Sequence, residues 1–193
     1  MRTSKLLWTL FAVCFLLTSL AASAGTLDNE KYWTTTGSTG TLDETSEGKV
    51  FFERAKVQKG NTVTVAQKSS GADTTDTAVI RYNVTAVDGL FGFPDANMTV
   101  RFLDTGSSAR VTASLIAVDV ATGAESTLLT FDSNAFGVPV QNVYQRYDVC
   151  GRGVSFDFVK KVYYIEATLT NSSVISGSAA GIEAIQINSA YCP

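Results

Sequence analysis

The sequence predicts an all-β protein: two antiparallel sheets packed as a jelly-roll-like sandwich of about nine strands. Three observations predict it. Apolar residues recur with period two in short runs. Turn residues separate these runs at a spacing of about a dozen residues. No segment carries the apolar stripe of an amphipathic helix. A closed β-barrel satisfies the same pattern and stands as the alternative.

The first segment lies ahead of the fold. Arg2 and Lys5 make a basic start, residues 6–20 are almost entirely apolar, and "AASA" occupies 21–24. This is the pattern of a signal peptide, with cleavage expected after Ala24. The apolar run of about 15 residues is short of the roughly 20 that a spanning helix needs. The chain is therefore expected to be secreted or periplasmic, with no membrane insertion after cleavage. Residues 25–48, rich in Thr, Gly, Ser and acid, read as an irregular lead-in anchored by Tyr32 and Trp33.

The sandwich domain is expected over 49–193. "KVFFERAKV" at 49–57 and "NTVTVAQ" at 61–67 read as the first strands. In 77–87, Ala78, Ile80, Tyr82, Val84 and Ala86 alternate with Val79, Arg81, Asn83 and Thr85. In 98–104, Met98, Val100 and Phe102 face away from Thr99 and Arg101. Residues 110–120 and 125–131 predict a hairpin turning at 121–124, with Gly123 taking the positive φ. "NVYQRYDV", "KVYYIEATLT" and "GIEAIQIN" complete the set, the last two joined by the small-residue loop 171–180. In the first of these, Val143, Tyr147 and Val149 are expected to fill the core.

The stretch 100–134, "VRFLDTGSSARVTASLIAVDVATGAESTLLTFDSN", resembles exported bacterial β-sandwich proteins of uncharacterised function. The resemblance extends to about residue 190 and implies a sandwich fold. It implies no active-site residue.

The leader removes Cys14 and leaves Cys150 and Cys192 in an oxidising compartment, where they are expected to pair. The crosslink closes a loop of about 43 residues and ties the C-terminus to the domain. Its reduction is expected to loosen 181–193 first. Neither cysteine has a histidine or a C-x-x-C neighbour to activate it.

Composition excludes several function classes. The chain has no histidine, which removes Ser-His-Asp and Cys-His catalysis and the usual zinc and copper sites. Without Arg2 and Lys5 the mature chain carries 13 basic against 18 acidic residues, a net charge of −5. With no basic run beyond Lys160-Lys161, nucleic acid is excluded as a partner. Two carboxylates can hydrolyse a glycosidic bond without histidine, and Glu166 and Glu183 are the candidates. Acidic loops at 71–76 and 43–47 offer oxygen ligands to calcium but no defined spacing. No other cofactor is indicated. Trp33, Tyr144, Tyr164 and Glu166 are the possible ligand-facing residues.

Together these features predict a non-catalytic β-sandwich acting as an interaction or structural domain of the cell envelope or extracellular space. Its partner is expected to be a glycan or an envelope protein. A carbohydrate-binding module is the alternative reading, and a histidine-free glycosidase or lyase a further one.

Overall fold

A computed structural model describes residues 32–59, 75–87, 90, 94–106, 108–137, 143–172, 178–190 and 192. The expected strand at 61–67 and the leader lie outside the described residues. The described residues form eleven strands: β1 (Tyr32–Thr36), β2 (Thr41–Leu42), β3 (Val50–Glu53), β4 (Lys56–Lys59), β5 (Thr75–Val84), β6 (Asp95–Asp104), β7 (Ala109–Asp119), β8 (Glu125–Asp132), β9 (Gln145–Gly151), β10 (Lys161–Ser172) and β11 (Ala180–Ala190). Short 3-10 turns follow β1, β2 and β8. Among the described residues no helix is long and apolar enough to cross a membrane.

Two open sheets form, and no barrel closes. Sheet A runs β3-β4-β11-β6-β9, with β1 also on β11; sheet B runs β2-β5-β10-β7-β8. Among the last eight strands the pairings nest: β4 takes β11, β5 takes β10, β6 takes β9 and β7 takes β8. This is one long antiparallel hairpin rolled up so that successive pairs fall in alternate sheets, which is the jelly roll. The tip of the roll is the predicted β7–β8 turn. Asp119 Oδ1 accepts from the Ala121 and Thr122 N–H groups, and Gly123 sits at φ +71°. A side chain there would crowd the following carbonyl, so glycine relieves the turn.

Period two determines which residues meet between the sheets. Ala78, Ile80, Tyr82 and Val84 of β5 join Tyr163, Ile165, Ala167 and Leu169 of β10 in the core. Met98, Val100 and Phe102 of β6 close it from sheet A, with Ile182, Ile185 and Ile187 of β11. Burying an Ile or Leu of this kind contributes about 1.5–3 kcal/mol relative to leaving it exposed. β11 breaks the period. Register against β6 slips between Ile182 and Ala184, leaving Glu183 as an extra, bulged residue. The slip turns 182, 185 and 187 to the same side, which strict alternation does not do.

Four expectations are corrected. The segment 25–48 is not all irregular: β1 and β2 lie in it, and Trp33 is buried in the core against Ile187. "KVFFERAKV" is a hairpin and not one strand, turning at Arg54 with φ +54°. β9 fills the core only through Val149, because it is the edge strand of sheet A. Val143 is 50% exposed, and Tyr147 sits at the rim with its ring stacked 4.4 Å from that of Phe136. β11 is not a strand hanging from the disulfide. It is the centre of sheet A, paired with β6 on one side and with β4 and β1 on the other.

The disulfide Cys150–Cys192 joins edge strand β9 to the residues just beyond β11, with Cα atoms 5.6 Å apart. It thereby bridges across the start of β6. Asp95, the first residue of β6, accepts from the Cys192 N–H with one carboxylate oxygen and from the Gly153 N–H with the other, both at 2.9 Å. These backbone bonds, that from Cys192 foremost, hold its carboxyl below the usual carboxylate range.

One charge crosses the sandwich. The Lys59 side chain is wholly buried, facing inward from β4, and its ammonium donates to Asp76 Oδ2 of β5 at 2.6 Å. Lys49 meets the same carboxylate at 3.2 Å.

Two outcomes follow for stability. Asp76→Asn strands the Lys59 ammonium in the interior and is expected to cost about 3–5 kcal/mol by urea unfolding. Adding Lys59→Met to that variant should restore at least half of the loss, since a buried ion pair replaced by apolar packing is often neutral. Second, Cys150→Ser with Cys192→Ser is expected to cost about 2–5 kcal/mol. Hydrogen exchange should then rise at Gly153 and Cys192 while β11 amides keep their protection. Loss of protection along the whole of β11 would contradict the central placement of that strand.

Candidate functional site on the outer face of sheet A

The sandwich has two outward faces, and their side chains differ in proportion. Sheet B shows short hydroxyls and β-branched residues to solvent, together with the ion pairs Arg81–Glu166 and Arg110–Asp132 and with Asn83 and Tyr164. One row runs Thr41, Arg81, Glu166, Ser114, Thr130, and the next Val79, Thr168, Thr112, Asp132. This is the ordinary composition of a solvated strand face. Arg81 is held between two carboxylates, donating to Glu166 at 2.9 Å and Asp43 at 3.2 Å. Tyr164 donates its hydroxyl to Glu125 at 3.2 Å.

Sheet A adds a set of amides to such residues, in four cross-strand rows. The first row is Phe51, Gln58, Gly181, Leu103. Tyr144, which leads into β9, lies back across it. Its hydroxyl accepts from Gln58 Nε2 at 2.8 Å, and the Lys56 ammonium stands 4.8 Å from its ring centroid. The second row carries Glu53 and Lys56, then the bulged Glu183, Arg101 and Arg146. Glu183 accepts from Arg101 Nε. The third row is Thr34, Gln186, Thr99, Asp148, in which Gln186 donates to Thr34 at 3.2 Å and Thr99 to Asp148 at 2.6 Å. The fourth is Tyr32, Asn188, Asn97, Cys150. Asn97 Oδ1 is buried and has no hydrogen-bond partner among the described residues.

Two local features build this surface. The bulge at Glu183 puts an extra side chain on the outer face beside Arg101, where regular pairing has none. Gly181 leaves space for Tyr144. A Cβ on Gly181 would lie 2.9 Å from the Tyr144 hydroxyl and 3.0 Å from Gln58 Cγ. The ring therefore lies against the sheet, and the burial raises its phenol above the ordinary 10.0, with the Gln58 hydrogen bond opposing. Beside it, Glu53, Arg54, Ala55, Lys56 and Glu183 line a cleft of about 240 Å³. At the opposite margin Thr34 belongs to a second groove, of about 270 Å³, that passes between the sheet edges to Thr39, Thr41, Arg81 and Asn83.

The expected site residues do not form one site. Tyr144 lies on the outer face of sheet A. Tyr164 and Glu166 lie on the outer face of sheet B, and Trp33 is a core residue that touches the edge groove. Glu166 and Glu183 stand on opposite faces with the core between them, so they cannot flank one glycosidic bond. Among the described residues no group of three or more His, Cys, Asp or Glu side chains is placed to hold a metal ion. In the acidic stretch 43–47, Asp43 is engaged by Thr45 and Arg81. Gln58, Arg101, Gln186 and Asn97 are not among the expected site residues. Their signal was available only as polar residues alternating with apolar ones along β4, β6 and β11.

No protein-family model matches the sequence, and no curated protein matches it. Among solved structures the chain is similar to the C-terminal CBM6 of LamC, a marine laminarinase from Zobellia galactanivorans. Identity is 12%, covering 82% of this chain and 99% of that one, with a TM-score of 0.44. It is similar to the xylan-binding module CBM15 at 7% identity, covering 85% and 99%, TM-score 0.45. A cyclase from Fischerella sp. TAU matches at 10% identity, covering 88% and 81%, TM-score 0.41.

The contact at Gly181 is testable by titration. Gly181→Ala should push Tyr144 off the sheet and lower its phenol pKa back toward 10.0 in an NMR titration of the tyrosine ring. An unchanged titration would mean that the ring is not seated on Gly181.

Proposed function

We propose that this chain is a non-catalytic, exported binding module and that it binds a glycan on the outer face of sheet A. The observation that supports this is the contrast between the two faces. Both faces carry guanidinia and carboxylates, but sheet A adds the amides of Gln58, Gln186, Asn188 and Asn97 and the Tyr144 ring laid against Gly181, and planar polar ends of this kind can each engage two neighbouring sugar hydroxyls at once. These ends are held in place before any ligand arrives. Arg101 is tied to Glu183, Asp148 to Thr99, and Gln58 to Tyr144. A side chain already ordered loses little entropy when it binds, and this favours weak, polar ligands such as sugars. Tyr144 adds an aromatic body with one polar end, which suits a ligand with alternating C–H and O–H faces. The open sheet suits an extended chain better than a single small molecule, which is held best by a concave pocket.

Affinity electrophoresis through gels containing xylan, laminarin, hydroxyethylcellulose or polygalacturonate tests the reading. At least one of these should retard the protein. Tyr144→Ala should weaken that interaction at least about tenfold, and Tyr164→Ala, on the other face, should leave it unchanged. Retardation by none of the four, or equal loss in both variants, would overturn the assignment to this face.

A further inference from the structure

We infer that the protein self-associates through β3, with two copies joining sheet A edge to edge across a two-fold axis. The inference rests on the β3 edge and not on the glycan reading.

Among the described residues each sheet ends in strands that lack a neighbour, and several of these ends are guarded. β2 has two residues, too few to template pairing. β8 carries a register slip between its pairings with Leu115 and Ile116 and begins with Glu125. β9 presents Arg146 and Asp148 and is held by the disulfide. β3 is short and ends in Glu53, but it carries no charge between its ends and no register slip. Its register with β4 is regular, it contains no proline, and Phe51 and Phe52 are 48% and 46% exposed.

The register specifies which backbone groups are free. β3 and β4 join through a two-residue turn, so the closing pair Glu53–Lys56 exchanges hydrogen bonds. By alternation Phe51–Gln58 does so too. The N–H and C=O groups of Val50 and Phe52 therefore point to the open edge. Antiparallel pairing with a second copy satisfies all of them in one register: Val50 opposite Phe52 of the second copy, and Phe52 opposite its Val50. Phe51 then faces Phe51 across the axis as a close pair, with Cα atoms about 4.5 Å apart. The same register sets Lys49 opposite Glu53 at both ends. Lys49 commits its ammonium to Asp76 and the Thr77 carbonyl of β5, so this pair adds charge complementarity along the strand and no fixed ion pair. The segment 49–53, Lys-Val-Phe-Phe-Glu, is thus complementary to itself when reversed, basic at one end and acidic at the other. The occupant of the edge is accordingly a second copy of this chain, and the two-fold closes the assembly at a dimer.

The pairing also sets two outer faces of sheet A side by side, since Phe51 shares its row with Gln58 and Gly181. A polymer could then meet two faces at once and gain avidity.

A four-residue edge makes a small interface, so the expected Kd is on the order of 100 µM. Sedimentation equilibrium of the purified protein from about 10 to 500 µM should give a monomer–dimer fit. Phe51→Lys sets like charges across the axis and should raise Kd at least about tenfold. Phe51→Cys should form an intermolecular crosslink under mild oxidation, and Phe52→Cys, offset by one pair, much less. Both sites are half exposed and outside the core, so circular dichroism should be unchanged in every variant. A wild type monomeric throughout, a dimer indifferent to Phe51→Lys, equal crosslinking at both sites, or open-ended polymers would each overturn the inference.

Discussion

Everything in sheet A depends on β11. It is the last strand of the chain and the central one of its sheet, flanked by β6 on one side and by β4 and β1 on the other. Backbone groups at the centre of a sheet have no access to water and must be paired on both sides. The N-terminal strands therefore cannot complete their hydrogen bonding until the C-terminus is in place. Pairings of such long sequence separation bring a large loop-closure cost before any contact forms. Slow folding is the usual result of that topology.

The bulge in β11 reconciles two demands on this strand. One side of it must serve two partners, β4 along 180–182 and β1 along 184–188. Glu183 lies at the changeover and is left out of the ladder with β6. The irregularity turns Ile182, Ile185 and Ile187 inward together, and it places Glu183 outward against Arg101. A packing requirement and a surface feature thus share one cause. Gly181, one residue before Ile182, admits the Tyr144 ring to the same surface.

Charge inside the fold is handled differently from charge on its faces. Arg81, Arg101 and Arg110 make exposed ion pairs, which contribute little each to stability. Lys59 is fully enclosed and reaches from sheet A to Asp76 in sheet B. An enclosed pair adds little net stability over apolar packing, but leaving either partner alone is costly. It therefore acts on the relative placement of the two sheets. The backbone donors gathered by Asp95 do similar work at the other end, where the disulfide spans β6.

Strand positions and the faces of β5, β6, β7 and β10 were legible in the sequence, because alternation is a local property of the backbone and burial selects on it directly. The β7–β8 turn was legible for the same reason, as Gly123 answers a local steric need. The pairing of Cys150 with Cys192 was expected from the sequence once Cys14 was assigned to a leader. Other features were decided by partners distant in sequence. Alternation says that Glu166 and Glu183 face away from a core, but not that they face away on opposite sides of it. Tyr147 alternates like a core residue, yet β9 is an edge with too little beyond it to cover the ring. Trp33 reads, with Tyr32, as an apolar anchor in a polar segment until β11 supplies the strand that buries it. A side chain's orientation is set within a few residues. Its surroundings are set by which strand lies beside it, and in a nested antiparallel fold that strand can be at the other end of the chain.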